Sequence, residues 1–352
     1  MVESLQVAFL LVLGLLFGSF LNVVIHRLPL AESETSTWWV GYGSLVSPSR
    51  SQCPKCGHAI AWYENVPVVS WLALRGKCSA CKAPISPRYV LVELLTGVLF
   101  VACFVRFGWT YALVPACVMM VLVVPLVFID AAHWILPFEL TLPGIGLGLA
   151  LAAPLGVDAL IASAIGAAAA FLAFRVMEFV GWLLFRKEAL GAGDKFLLAL
   201  LGAFLGWRPL FGVLFLSSLQ GAVFGLISLG LRGRASSDAP LPAEGDAAAA
   251  EPDEPEPVFT PEWKKPGLSL AQRLVSVPYV LFLQPIPDDP PAEENAEGQL
   301  ETPEWTPGLT SMPFGPWIGL AGIEVLLLTP WLRHVFEGSP FSLTVKLLFG
   351  DG

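Results

Sequence analysis

Two acidic residues in this chain lie beside long apolar segments, where an ionised side chain is costly. Asp194 ends the stretch Gly-Ala-Gly-Asp, and the segment 196–231 that follows carries a single charge. Asp130 ends another apolar segment, 111–129. An ionisable group in a membrane costs about 2.5–3.5 kcal/mol by insertion scales, so such residues indicate functional sites. Two carboxylates at membrane edges can form an acid/base pair that activates water, which predicts an intramembrane aspartyl protease.

Each acid also has a simpler interpretation. An Asp before an apolar helix, such as Asp194, is a favoured N-cap residue, and Asp130 can be a helix-end acid that reaches water. Function is favoured at Asp194 because Gly191 and Gly193 permit backbone conformations closed to other residues. It is favoured at Asp130 because the chain leaves and re-enters an apolar region within residues 128–137.

A polar loop carries two Cys-x-x-Cys pairs, Cys53 with Cys56 and Cys78 with Cys81, separated by 21 residues. Four thiolates at such spacing can close a tetrahedral zinc site. Disulfides are disfavoured in the cytoplasm, so structural zinc is the preferred interpretation and a redox or metal-free role is the alternative. Four thiolates leave no open position for water, which argues against catalytic zinc. His58 is an alternative ligand.

The composition predicts an all-α polytopic membrane protein. Of 352 residues, 55% are hydrophobic and 14% are charged, against about 25% charged in soluble domains. Crossing the bilayer takes about 20 apolar residues. About eight transmembrane helices are expected, at approximately 5–25, 89–107, 111–130, 139–156, 158–185, 195–209, 210–231 and 313–332.

The order of segments predicts five parts. They are a first transmembrane helix (1–25), a zinc-binding loop domain (26–88), a transmembrane catalytic core (89–231), an acidic insertion (232–312) and a last helix with its tail (313–352). The basic residues of the first loop place it in the cytoplasm. Eight crossings then put Asp130, Asp194 and the insertion on the same side.

The acidity of the chain comes from the insertion. Residues 232–312 contain 15 of the 29 Asp and Glu but only 5 of the 20 Lys and Arg, so the rest is nearly neutral with 14 and 15. A segment this rich in Pro, Ala and acids cannot bury enough apolar surface to fold alone, which predicts disorder. No basic surface suggests binding of nucleic acid.

Further motifs follow one another along the chain: Gly18–Pro29 (GSFLNVVIHRLP), Trp62–Leu72 (WYENVPVVSWL), Ile85–Tyr89 with Glu93, and Pro313–Pro316 (PFGP). Together with the cysteines and the two acids, they resemble the bacterial prepilin peptidases, or type IV leader peptidases, of the GxGD membrane aspartyl proteases. The resemblance covers nearly everything except 232–312. Glu93, inside an apolar segment, either makes a polar packing contact or lines a substrate groove.

The resemblance implies a multi-pass protein of the bacterial inner membrane, surrounded by lipid. It implies cleavage of the basic leader from prepilins and pseudopilins, after a Gly and on the cytoplasmic side. Methylation of the new N-terminal residue with S-adenosylmethionine is implied as well. Asp130 and Asp194 match the family's catalytic positions, and the four cysteines match its zinc ligands. Glu64 and Asn65 are candidates for contacting the methyl donor or the substrate amine.

Two positions near the acids depart from the family pattern. Phe138 stands where the family usually has a polar residue, and Phe196 stands where it usually has a lysine, while Lys195 directly follows Asp194. The long acidic insertion is a third difference.

A non-enzymatic class is the alternative: a transporter or assembly scaffold whose membrane-edge carboxylates bind cations or a partner helix. The chain lacks the internal repeats of many transporters, and such a function leaves the zinc-binding loop unexplained.

Overall fold

The computed structural model describes residues 2–34, 51–53, 55–185, 191, 193–232, 293–294, 300–301 and 313–336. The described chain is almost entirely helical. Its α-helices are α1 (Val2–Glu34), α2 (Val69–Ala73), α3 (Arg88–Phe107), α4 (Leu113–His133), α5 (Phe138–Ala152), α6 (Val157–Phe185), α7 (Asp194–Leu205), α8 (Leu210–Arg232) and α9 (Gly315–Phe336). There are also two 3-10 helices, Trp62–Asn65 and Ala153–Leu155, and an antiparallel pair of two-residue strands, β1 (Glu293–Glu294) and β2 (Leu300–Glu301).

Every one of the eight predicted apolar segments contains a helix, but fewer qualify as membrane spans. Six helices in the described part of the chain are long and apolar enough to cross a membrane: α1, α3, α4, α5, α6 and α8. Helix α7 has 12 residues, or about 18 Å at 1.5 Å per residue, which is less than the roughly 30 Å of a hydrocarbon core. The predicted break near Arg208 is present, because α7 ends at Leu205 and α8 begins at Leu210.

The first helix is longer than predicted. The sequence placed its end near residue 25, whereas α1 continues to Glu34 and its apolar span reaches Pro29. The pair His26-Arg27 ends an apolar segment. Charged residues indicate where a helix leaves the lipid, but the helical hydrogen bonds of the backbone can continue beyond that point. The predicted loop domain therefore begins with helix.

Helix α4 lies at the centre of the membrane helices. It packs against α1, α3, α5, α7 and α9, and side chains such as Met119, Val123 and Ile129 are fully buried along it. A helix that is apolar on all sides is suited to such a position. Asp130, in the last turn of α4, is thus surrounded by protein rather than by lipid.

Small residues let neighbouring helices approach closely, as is common in membranes. A Cβ on Gly14 of α1 would lie 2.7 Å from the Cα of Gly97 on α3, and a Cβ on Gly18 would lie 2.6 Å from the Cα of Glu93. The packing of α1 on α3 therefore depends on glycines at these positions.

Helices α6 and α7 also pack closely through glycines, and this contact leads to a prediction about stability. A Cβ on Gly202 would lie 2.6 Å from the carbonyl carbon of Gly166, so Gly202→Val must push the two helices apart. We expect destabilisation by about 1–3 kcal/mol or more, measured as a lower unfolding temperature in detergent. Gly146→Val is the control, because a Cβ there meets nothing within 4 Å. Equal losses in both variants would contradict the prediction.

The chain forms two compact units, one of residues 1–172, 191–220 and 313–352 and the other of 173–190 and 221–312. Both candidate acids and all four loop cysteines belong to the first unit. The insertion predicted to be disordered, 232–312, lies outside the described residues except for 232, 293–294 and 300–301.

Candidate functional site

Asp130 lies near the C-terminal end of α4, and its side chain is only 5% exposed. The helix stops at Trp134, which adopts a left-handed conformation (φ 61°) and donates its N–H to the Asp130 carbonyl at 2.9 Å. The Oδ2 atom of Asp130 is buried and has no hydrogen-bond partner among the described residues. A buried acid with an unused oxygen needs an explanation, and a bound reactant supplies one.

Asp194 is the first residue of α7 and is also 5% exposed. The N-cap position belongs to Gly193, so Asp194 is not the N-cap residue of the simpler interpretation. Its backbone N–H donates to the carbonyl of Gly191 at 3.1 Å. A carboxylate in the first turn of a helix is favoured by the positive end of the helix dipole.

The structure brings the two predicted acids together. Their carboxylates are close enough for direct electrostatic interaction, although Asp130 ends one helix and Asp194 begins another. Leu136, in the turn after α4, packs between the elements that carry them. Its Cβ would lie 2.7 Å from a Cβ on Gly193, and its Cδ1 would lie 3.3 Å from one on Gly315. Helices α4, α7 and α9 therefore meet at one site.

Gly315 is a residue of this site to which the sequence analysis assigned no role. It begins α9, and its backbone N–H lies beside the Asp130 carboxylate. A Cβ at this position would clash with Oδ2 of Asp130 and come within 3.0 Å of its Cγ. The PFGP motif was visible in the sequence, but only the fold reveals that its glycine faces the acid.

Gly315→Ala is therefore expected to displace the Asp130 carboxylate. A shift of about 1 Å in a reacting group can lower a rate by about 10²-fold, so we expect a loss of peptide cleavage of that order with the protein still folded. The control is Gly319→Ala on the same helix, where a Cβ would clash with Val127 rather than with an acid. If the two variants lose activity only in proportion to their loss of stability, Gly315 has no special role.

Phe138 and Phe196, the two positions that the sequence analysis expected to be polar, contact each other. The rings of Phe138 and Phe196 pack edge to face with centroids 5.0 Å apart, and Phe171 packs on Phe196 at 5.4 Å. The ammonium of Lys195 lies 5.9 Å from the centre of the Phe196 ring. The rings at these two positions are therefore in contact, although they belong to different helices, α5 and α7.

The cysteine pairs occupy two turns with the same backbone pattern. In the first turn, the N–H of Cys53 donates to the carbonyl of His58, and the N–H of Gly57 donates to the carbonyl of Cys53, both at 2.9 Å. In the second turn, the N–H of Cys78 donates to the carbonyl of Ala83 at 2.8 Å, and the N–H of Lys82 donates to the carbonyl of Cys78 at 3.1 Å. Gly57 and Lys82 both adopt positive φ, 70° and 60°. Two matching turns of this kind present four thiols to one point.

The thiol positions fit a zinc ion. All four sulfur atoms lie within 4.8 Å of one another, and the Sγ atoms of Cys53 and Cys81 are 3.8 Å apart. A tetrahedral site with Zn–S bonds of about 2.3 Å requires sulfur separations of about 3.8 Å. The donor set therefore matches the predicted metal. His58 does not belong to the cluster, which consists of Cys53, Cys56, Cys78 and Cys81.

Backbone donors favour the thiolate form that a metal requires. The N–H groups of Lys55 and Cys56 point at the sulfur of Cys53 and lower the pKa of that thiol to about 7. The N–H of Cys81 likewise lowers the pKa of Cys78. Because only thiolates bind metal, these donors favour the metal-binding form of Cys53 and Cys78. Desolvation and the neighbouring thiols instead raise the pKa of Cys56, to about 11.

Glu64, a candidate for contacting the methyl donor, uses its carboxylate within the loop. It accepts the N–H of Ala61 at 2.9 Å, lies 3.5 Å from His58 and bonds to Ser79, and these donors lower its pKa, Ser79 most of all. Glu64 therefore joins the two cysteine turns. A contact between Glu64 and the methyl donor stays a prediction. Asn65, the other candidate, is exposed at the surface.

The residues at the base of the loop lie close to the end of α4 that carries Asp130. His26, near the end of the α1 span, is within electrostatic range of Arg88, which begins α3, and of His133, three residues beyond Asp130. The membrane face on which both lie stays a prediction.

Residues 12–107 match the bacterial peptidase A24 N-terminal domain, and residues 117–226 match the type IV leader peptidase family. The prepilin leader peptidase/N-methyltransferase of Myxococcus xanthus is 55% identical over 327 residues, which cover 93% of this chain and 91% of that relative. The chain belongs to the type IV leader peptidase family. Its first matched region contains the cysteine cluster, and the second contains both acids.

More distant members of the leader peptidase family align with a smaller part of the chain. The prepilin leader peptidase/N-methyltransferases of Aeromonas hydrophila and Pseudomonas aeruginosa are 42% and 41% identical, over 65% and 66% of this chain and 83% of each relative. No solved structure matches the chain.

Proposed function

We propose that this protein cleaves the leader peptide from type IV prepilins and pseudopilins at the cytoplasmic face of the bacterial inner membrane, and methylates the new N-terminus. The observation that carries the proposal is the meeting of Asp130 and Asp194 in a buried site formed by membrane helices. The printed names of the relatives, which join leader peptidase to N-methyltransferase, support both activities.

Peptide hydrolysis follows from a pair of acids that share one proton. Two adjacent carboxylates cannot easily both be ionised. The ionised acid takes a proton from water while the water oxygen attacks the carbonyl carbon, and the protonated acid gives its proton to the carbonyl oxygen. The first acid then passes its proton to the leaving nitrogen as the C–N bond breaks. The second acid recovers a proton as the new carboxyl group forms.

The helix ends suggest which acid plays which part. Asp194 lies at the N-terminus of α7, where the helix dipole favours an anion. The Asp130 carboxylate lies between the C-terminal end of α4 and the N-terminal end of α9, so the two helix dipoles act on it in opposite directions. We assign Asp194 as the ionised base and Asp130 as the proton donor. The buried Oδ2 of Asp130, without a partner among the described residues, is the atom that would hold the proton.

The substrate orientation follows from the side on which the acids lie. The apolar N-terminal segment of a prepilin would lie between membrane helices, and its basic leader would stay in the cytoplasm.

We assign zinc to Cys53, Cys56, Cys78 and Cys81 as a structural ion that holds the loop turns together. Methyl transfer to the new N-terminal amine would use S-adenosylmethionine as the donor. No step is assigned to Glu64, because its carboxylate is engaged inside the loop.

The test is incubation of the purified protein with a prepilin in detergent, with S-adenosylmethionine added, followed by mass spectrometry of the product. We expect loss of the leader mass and a gain of one methyl group, about 14 Da. Leader loss without the methyl gain would remove the second activity. An unchanged prepilin, together with proton-coupled transport activity, would favour the transporter alternative.

A further inference from the structure

Glu93 is a buried acid that neither the cleavage mechanism nor the zinc site uses. It lies on α3, five residues after Arg88, or about 7 Å along the helix axis, and it is 7% exposed. Its Oε2 accepts the backbone N–H of Val68 at 2.8 Å, and the hydroxyl of Ser19 on α1 also bonds to it. One carboxylate thus joins two membrane helices to the cytoplasmic loop.

The backbone that Glu93 holds is strained. Val68 has φ 62° and ψ −50°, and the N–H of Val69 donates to the carbonyl of Pro67 at 2.6 Å. This is a γ-turn with positive φ, a rare and strained conformation. A β-branched residue at positive φ is a true outlier. Such strain persists only where surrounding contacts hold it, and it concentrates at functional sites.

The strained turn is connected directly to the zinc-binding turns. Val68 is the N-cap residue of α2, and on that helix the indole N–H of Trp71 donates to the carbonyl of Ile85 at 3.2 Å. Gly76, two residues before Cys78, packs so closely on the Trp71 ring that a Cβ would lie 2.8 Å from it. Helix α2 therefore connects Val68 to the second cysteine turn, so a shift of Val68 would also displace the residues around that turn.

The helices on the other side of Glu93 are locked together. A Cβ on Gly18 would lie 2.6 Å from the Cα of Glu93. One turn further along α1, the buried side-chain amide of Asn22 donates to the carbonyl of Tyr89 at 3.0 Å. The Glu93 carboxylate is therefore fixed by the close packing of α1 on α3, and its hydrogen bond to Val68 restrains the loop.

We propose that Glu93 is a positioning residue that docks the zinc-binding loop on the membrane helices by holding Val68 in its strained turn. We expect this position to matter for methyl transfer more than for cleavage. Both cleaving acids lie in the region that matches the leader peptidase family, residues 117–226, whereas the loop lies in the separately matched region 12–107, and the relatives' names add a second activity, N-methyltransferase. The inference rests on the proposed methyltransferase function, and it predicts that the two activities separate when the contact is lost.

Glu93→Ala removes the acceptor for the Val68 N–H, so the turn can relax. We expect amide exchange of residues 66–72 to be at least about tenfold faster, and the ratio of methylated to cleaved product to fall by about tenfold. Glu93→Gln retains a side-chain carbonyl oxygen that can accept the same N–H, and should keep most of the ratio. Cleavage alone should change by less than about threefold in either variant.

The decisive measurement is rescue by a second substitution. Glycine adopts positive φ without steric cost, so Val68→Gly in the Glu93→Ala background should restore the ratio to within about threefold of wild type. Val69→Gly is the matched control, because Val69 is exposed and lies in α2, where glycine relieves no strain.

Three results would overturn the proposal. They are an unchanged ratio in Glu93→Ala, equal rescue by both glycine variants, and unchanged amide exchange of the loop. Failure of the proposed function is distinguishable, because wild-type protein would then cleave without methylating, while the exchange measurement would still test the contact between Glu93 and Val68.

Discussion

Asp194→Asn is expected to lower prepilin cleavage by about 10²–10⁴-fold, the usual contribution of a general acid or base. An amide at this position cannot take a proton from water, although it has nearly the same shape as the acid. Asp130→Asn should lose a similar factor, because an amide cannot donate the proton that the carbonyl oxygen requires. Cleavage rates from mass spectrometry at matched protein concentrations measure both effects.

The double variant separates a shared mechanism from two independent contributions. Residues that act as one unit are not additive, so Asp130→Asn with Asp194→Asn should be no slower than the worse single variant. Asp158→Asn is the control, since this acid is exposed at the start of α6. Robust cleavage by either single variant, with the fold intact, would refute the assignment of the acids.

Cys78→Ser is expected to remove zinc from the loop. Structural zinc contributes about 10–16 kcal/mol of apparent binding energy in small zinc-dependent peptides, and one thiolate is a quarter of the ligand set. We expect metal content, measured by atomic spectrometry, to fall at least about tenfold. Residues 51–86 should become more accessible to protease, because a metal ion would no longer link the two cysteine turns.

The control for zinc loss is Cys117→Ser. This thiol lies on α4 and does not belong to the cluster, so its loss should leave the metal content unchanged. A chelator added to wild-type protein should reproduce the loss of metal and the protease accessibility of residues 51–86, while cleavage by the two acids should continue. Full metal content in Cys78→Ser would contradict a four-thiolate site.

Much of the architecture was determined by local chemistry. Backbone groups in lipid must be hydrogen-bonded within their own segment, so long apolar segments predict helices. All eight predicted segments contain helices, of which six are long and apolar enough to span a membrane. Cys-x-x-Cys spacing places two thiols on one tight turn, so the composition of the cysteine cluster could be predicted from the sequence. Asp130 and Asp194 were identified because a charge beside lipid is costly. Helix ends were less certain, since α1 runs past the basic pair that ends its apolar segment.

Tertiary structure decided which distant groups meet. Gly315 faces Asp130, Phe138 packs on Phe196, and Glu93 holds Val68. These pairs belong to different helices or to a helix and a loop, and their contacts depend on crossing angles and axial positions that helical periodicity leaves free. The strained turn at Val68 is the strongest case. Intrinsic preferences exclude positive φ for valine, so only a distant carboxylate and the surrounding packing explain the conformation.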